Sequence, residues 1–134
     1  MCKRGGLSPV VDVLDYGDMV KRPGLSLLNG PGNDMVAVTN LMAVGVHMIL
    51  FTTGRGTPLG SAVPTVKIAT NQCLAERKEN WIDFDASQLL RGTSMEDLTD
   101  TLLDYVIAVA SGEPTKNELN QYWEISIFKD GVTL

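Results

Sequence analysis

The stretch DMVAVTNLMAVGVHMILF, residues 34–51, decides the fold class, because two hydrophobic periods meet in it. From Met35 onward the positions Val38, Leu41, Met42 and Gly45 follow the i, i+3, i+4, i+7 spacing of one helical face, and Asp34 is placed to cap that helix. Met48-Ile49-Leu50-Phe51 then runs apolar without interruption at strand length, which suits a central strand covered on both faces. With a short strand upstream at Leu25 to Leu28, the order is strand, helix, strand, a right-handed crossover unit feeding a parallel sheet.

Working outward, Pro9 to Leu14 is β-branched enough for a strand, and Asp15-Tyr16-Gly17-Asp18 closes it with turn chemistry. Asn29-Gly30-Pro31-Gly32-Asn33 ends the second strand in the same way. On the other side, the glycine-rich stretch Gly54 to Gly60 precedes a strand at Pro64 to Ala69 and a short helix at Gln72 to Lys78. Thr93 and Ser94 each have a carboxylate three places on, so a long helix opens there. Its stripe of Leu98, Leu102, Tyr105, Val106 and Val109 reads as core, and Gly112 with Pro114 stops it. Trp123 to Phe128 alternates apolar and polar residues as a half-exposed edge strand would. The expected architecture is α/β, with a mainly parallel central sheet and helices on both faces. It is a Rossmann-like three-layer sandwich without a dinucleotide fingerprint, since no Gly-x-Gly-x-x-Gly follows the first strand.

Composition narrows the function. A chain of 134 residues with 44% hydrophobic content is expected to form a single domain, 1–134. A net charge of −5 leaves no basic surface for a phosphate backbone, so nucleic acid is not expected as a partner. The longest apolar run, Leu41 to Phe51, is broken by Gly45 and His47 and falls well short of the roughly 20 residues that cross a bilayer, so no membrane span is expected. No secretory signal follows Lys3 and Arg4, and the chain reads as cytoplasmic. Cys2 and Cys73 lie far apart and read as free thiols. His47 is the single histidine, which cannot assemble a zinc site or a facial triad, and it reads as structural. No metal site is expected within this chain.

The segment Phe51-Thr52-Thr53-Gly54-Arg55-Gly56-Thr57-Pro58-Leu59-Gly60 stands where open α/β sheets bind ligands, beyond the carboxyl end of a strand. Gly54, Gly56 and Gly60 remove side chains where a ligand or another backbone comes close, and Thr52, Thr53 and Thr57 add hydroxyls. Arg55 supplies a planar fork suited to a carboxylate. The same residues also suit a tight turn whose arginine pairs with a surface acid, and residue chemistry alone leaves both roles open. Asp83 and Asp85 are candidate metal or hydroxyl contacts of a second loop, though turn aspartates commonly face solvent. Lys67 is a base if desolvated, but between Val66 and Ile68 it reads rather as an edge or snorkelling residue.

Residues 50–60, continued by Val63-Pro64-Thr65-Val66-Lys67-Ile68-Ala69-Thr70, closely resemble a signature of the altronate hydrolase and galactarate dehydratase family. The resemblance extends to Lys3, Gly5-Gly6, Ser8-Pro9 and Val13-Leu14 upstream, and to Val38-Thr39, Leu41, Ala43 and Gly45 in the first helix. Downstream it includes Ala110-Ser111-Gly112 with Thr115-Lys116, so it covers nearly the full chain. It implies the carboxy-terminal domain of a sugar-acid dehydratase, a lyase that removes water from a sugar acid to give a 2-keto-3-deoxy acid. It also implies iron(II) for the full-length enzyme, none of it expected to bind this chain alone. The partners implied are a small-molecule sugar acid and missing amino-terminal and central domains, or a separately encoded large chain. A carboxylate-binding module or subunit that stands alone, or a structural domain, is the alternative. The loop Thr52 to Thr57 is the expected substrate grip, with Asp83 and Asp85 as a secondary loop. Three residues depart from the family pattern: Asn40 replaces a glycine, and Asp85 and Ser87 replace an Asn and a Gly.

Overall fold

The computed structural model describes residues 6–127. They fall into two compact units, one formed by the described parts of Met1–Val46 and Ile125–Leu134, the other by His47–Glu124. In the first unit, β1 (Val10–Leu14) and β2 (Leu25–Leu28) pair in parallel, with Leu14 opposite Leu28. Helix α1 (Asp34–Ala43) follows. Its cap is Asn33 rather than Asp34: the Asn33 side chain accepts from the amides of Met35 and Val36. Asp34 falls instead in the first turn, where a carboxylate suits the positive end of the helix.

Helix α1 holds this unit together with an apolar and a polar contact surface. Leu14, Val38 and Val44 are buried, as is Asn40, which is 1% exposed. The Asn40 amide accepts from the Gly17 amide at 2.9 Å and donates to the Asn29 carbonyl at 3.1 Å. One side chain thus ties down the turns that follow β1 and β2. Thr39, next on the helix, binds the amide and hydroxyl of Ser126 through its own hydroxyl.

The second unit is built on a three-stranded parallel sheet in the order β3 (Ile49–Thr53), β4 (Thr65–Ala69), β5 (Phe84–Asp85). All five residues of β4 are buried. Strand residues alternate between faces. On one face Val66 and Ile68 pack with Phe84, Leu98 and Val109, placing the long helix α3 (Met95–Ala110) against the sheet. On the other, Ala69 packs with Leu74 of α2 (Gln72–Arg77) and with Ile82. The 3-10 turn Ala86–Arg91 joins β5 to α3, and α4 (Lys116–Leu119) closes the unit. Ser94 caps α3 as the sequence suggests, and Gly112, at φ 107°, ends it.

The class is α/β, with parallel sheets flanked by helices. Several details differ from the sequence reading. The unit spanning residues 25–51 does not feed a single sheet, because β2 pairs with β1 while β3 pairs with β4. The central strand is β4, not the apolar run at Met48 to Thr52; β3 is an edge strand with Leu50 49% exposed. Trp123 to Ile127 forms no strand, and its alternation is inverted: Trp123, Ile125 and Ile127 are exposed. The polar residues between them turn inward because each has a partner, Glu124 at the Gly60 amide and Ser126 at Thr39. Phe128, the end of that run, and Cys2 lie outside the described residues. His47, read as structural, is exposed in a bend before β3, and Cys73 is a free, exposed thiol. Among the described residues no helix is long and apolar enough to cross a membrane.

Asn40→Ala removes two bonds from a buried side chain and leaves the Gly17 amide and the Asn29 carbonyl without it. The expected loss is about 2 kcal/mol in urea unfolding. A change below about 0.5 kcal/mol, the range of ordinary surface substitutions, would show that Asn40 does not clamp the two turns.

Candidate functional site

The site is built around a buried cation. Lys67 stands in the middle of β4, is fully buried, and shares a sheet face with Thr65 and Ala69. Its ammonium donates to the Thr57 carbonyl and, at 2.7 Å, to the side-chain oxygen of Asn117. Asn117 is itself buried and donates to the Thr65 carbonyl at 2.9 Å. Burial pushes the Lys67 ammonium down to about 8, while the carboxylates of Asp83 and Glu124 pull it upward. The sequence reading of an edge or snorkelling lysine is overturned: flanking apolar residues marked the most buried strand of the sheet, and the polar partners sit far along the chain.

Thr57 is the last residue of the expected substrate loop, so the same ammonium fixes that loop from below. Within it, the Thr53 hydroxyl accepts from the Gly56 amide at 2.9 Å, and the Thr57 hydroxyl accepts from the Leu59 amide at 3.3 Å. The Gly54 carbonyl accepts from the Asn71 side chain at 2.8 Å. Gly56 has φ 80°, and a Cβ there would meet the Leu74 side chain at 2.7 Å, so the loop lies close on α2. Gly60 allows a still closer approach, since its Cβ would fall 1.8 Å from the Tyr122 carbonyl oxygen. Two of the loop glycines thus serve the chain's own packing.

Thr52 and Arg55 remain exposed. The Arg55 guanidinium has no hydrogen bond or ion pair among the described residues. It lines a cleft of about 240 Å³ with Gly54 on the loop side, and with Asn71, Leu74, Arg77 and Lys78 on the α2 side. Among the described residues no carboxylate lines this cleft. The basic residues of α2 were not singled out from the sequence, although Arg77 and Lys78 stand at the end of the short helix read there. Tyr105 and Asn117 were missed as polar participants too; Asn117 adjoins Thr115-Lys116, and Tyr105 was read as core alone.

Asp83 and Asp85 are drawn into internal bonding. Asp83 accepts from the Lys67 amide at 2.7 Å, the Lys116 amide at 2.8 Å and the Tyr105 hydroxyl at 3.2 Å. Burial is the first cause, and the Asp83 carboxylate the second, that push the Tyr105 phenol well above its usual range. Asp85 caps the 3-10 turn by accepting from the Ser87 amide at 2.9 Å and the Ser87 hydroxyl at 2.6 Å, and it pairs with Arg91. Asp85 and Ser87 are therefore bonded to each other. Both aspartates line a second cleft of about 260 Å³ beside Glu79 and Lys116. Among the described residues no three His, Cys, Asp or Glu side chains converge as metal ligands. With the Asp83 oxygens occupied by two amides and a phenol, the described residues do not fit the ferrous ion that the resemblance implies.

Residues 1–133 match the family described as D-galactarate/Altronate dehydratase, C-terminal. The chain is 54% identical to altronate dehydratase of Escherichia coli (strain K12) over 132 residues, 98% of this chain and 27% of that protein. It is 50% identical to altronate dehydratase of Bacillus subtilis (strain 168) over 133 residues, again 98% of this chain and 27% of the relative. Galactarate dehydratase (L-threo-forming) of Escherichia coli (strain K12) is 35% identical over 122 residues, 90% of this chain and 23% of its own length. The chain thus spans about a quarter of the length of these relatives.

The buried lysine makes stability depend on pH in a defined sense. Its folded value of about 8 lies below its ordinary 10.5, so between these limits the unfolded chain binds the extra proton. Stability therefore rises with pH across that window, by at most about 1.4 kcal/mol per unit from this group. Tyr105, raised in the folded state, contributes in the opposite direction only above its ordinary 10.0. Urea unfolding below that pH, combined with a ¹³Cε NMR titration of the lysines, is expected to show increasing stability and one lysine titrating near 8. A titration with every lysine above pH 10 would contradict the buried ammonium.

Proposed function

The chain belongs to the D-galactarate/altronate dehydratase carboxy-terminal family, and from this membership we propose that it serves as the sugar-acid-gripping part of a longer dehydratase. Such an enzyme removes water from a hexonate or hexarate acid to give a 2-keto-3-deoxy acid. The observation that carries the reading is the Arg55 guanidinium, exposed at the carboxyl end of β3 and without an acidic partner among the described residues. A guanidinium fork of this kind meets a carboxylate through two charge-assisted bonds. Thr52, Thr53, Gly54, Gly56 and Thr57 shape the loop that presents it, with the Thr52 hydroxyl free to meet the polyol. Asp83 and Asp85 act in this reading as internal supports of a second loop.

Dehydration needs a base for the proton α to the carboxylate, a sink for the enediolate charge, and help for the departing hydroxide. The proposed division of labour gives the carboxylate grip to this chain. The remaining acid–base groups and the ferrous ion belong to the rest of the enzyme, in the same polypeptide or in a separately encoded large chain. A cytoplasmic setting agrees with sugar-acid catabolism.

Two outcomes test this. Arg55→Lys keeps the charge but loses the fork, and is expected to weaken sugar-acid binding roughly tenfold or more while leaving the melting temperature unchanged. A lower melting temperature with unchanged affinity would instead make Arg55 a structural clamp. The purified 134-residue chain, supplied with ferrous iron, is expected to turn over neither altronate nor galactarate. Turnover abolished by a chelator would refute the division of labour.

A further inference from the structure

The chain is acidic, with 16 Asp and Glu against 11 Lys and Arg, yet Arg55, Arg77 and Lys78 line one cleft in which, among the described residues, no carboxylate takes part. Arg77, like Arg55, has no hydrogen bond or ion pair among the described residues. The acid beside it, Glu76, accepts instead from the Gln72 side-chain amide. Lys78 holds its ammonium 4.2 Å from the centre of the Trp81 ring, a contact that leaves its positive charge uncancelled. Like charges gathered without counter-charge repel one another, so the arrangement is stabilised by an anion from outside, and a concave wall focuses the field on whatever enters.

Arg55 comes from the loop after β3, whereas Arg77 and Lys78 come from the end of α2. Gly56 seats that loop against Leu74 of α2, so the two sources of charge line a single small cleft. At about 240 Å³ it lies below the size of drug-binding pockets and suits a short polyol acid. One carboxylate satisfies one guanidinium fork, which leaves a second cationic wall for a second acid group.

We propose that Arg77, with Lys78, forms a second acid-binding subsite facing Arg55, so that this cleft selects sugar acids carrying a carboxylate at each end over those carrying one. The inference rests on the reading of Arg55 as a carboxylate grip. It adds the class of acid that the site prefers and the residues that set the preference.

The test is calorimetric titration of the 134-residue chain with galactarate, a diacid, and altronate, a monoacid, at matched low ionic strength. The wild-type chain is expected to bind the diacid about tenfold or more tightly. Arg77→Gln removes an exposed side chain without partners, so the fold is retained, as thermal melting checks. This variant is expected to bring galactarate to within about twofold of altronate, with altronate losing much less affinity than galactarate, and Arg55→Gln weakens both acids. Equal wild-type affinity for the two acids, or an equal loss for both on Arg77→Gln, overturns the second subsite and leaves the Arg55 grip standing. Binding of neither acid by the wild-type chain overturns the Arg55 reading, and this inference falls with it.

Discussion

The second unit depends on one constraint: an ammonium in the middle of its central strand must be satisfied without water. A charge buried without partners costs several kcal/mol, and removing one partner from a buried pair typically costs about 3–5 kcal/mol. Lys67 meets the constraint with the Thr57 carbonyl and the Asn117 amide, under the field of Asp83 and Glu124. These groups belong to the loop after β3, to α4, to the residue before β5 and to the segment after α4, so one cation bonds two parts of the chain and feels the charge of two more around β4. Glu124 also holds the Gly60 amide at 2.8 Å, and Asp83 also holds the amide of Lys116 and the phenol of Tyr105.

This arrangement separates support from display. The groups with the most evident acid–base chemistry, Lys67 and Asp83, are bonded inward. Thr53, Gly56 and Thr57 are bound to the chain's own polar atoms and side chains, and the loop they build projects Arg55 with nothing to hold it. On the proposed reading, the rigid base preorganises the loop backbone, while the free guanidinium is ordered only when the ligand binds, at a cost of about 0.5–1.5 kcal/mol. The second loop is built with the same economy. Asp85 and Ser87 are joined by a 2.6 Å bond, and Asp85 also pairs with Arg91.

Local patterns made much of this legible. The cap at Ser94, the stop at Gly112 and the core stripe of α3 follow from residue spacing, because helix ends and helix faces are written in neighbouring positions. The glycine-rich loop was also visible, although its glycines read equally as ligand space or as packing space. Tertiary partners were not legible. An apolar run marked β3 as central, yet sheet order gave that place to β4, whose lysine looked like a surface residue. Asn117 lies 50 positions from the lysine it satisfies, and no local period reports such a contact. The segment from Trp123 to Ile127 misled for the same reason: alternation predicts which residues share a side, not which side is inward when Glu124 and Ser126 have distant partners. The convergence of Arg55 with Arg77 and Lys78 required the fold that lays the loop on α2.

The central claim, that this chain supplies a carboxylate grip at Arg55, is tested most directly by a crystal structure of the chain soaked with galactarate. The account predicts a carboxylate in bidentate contact with the Arg55 guanidinium inside the cleft between its loop and α2, at N···O distances of about 2.7–2.9 Å. Galactarate bound elsewhere, or Arg55 closed in an ion pair with an acidic side chain of the chain itself, would contradict it.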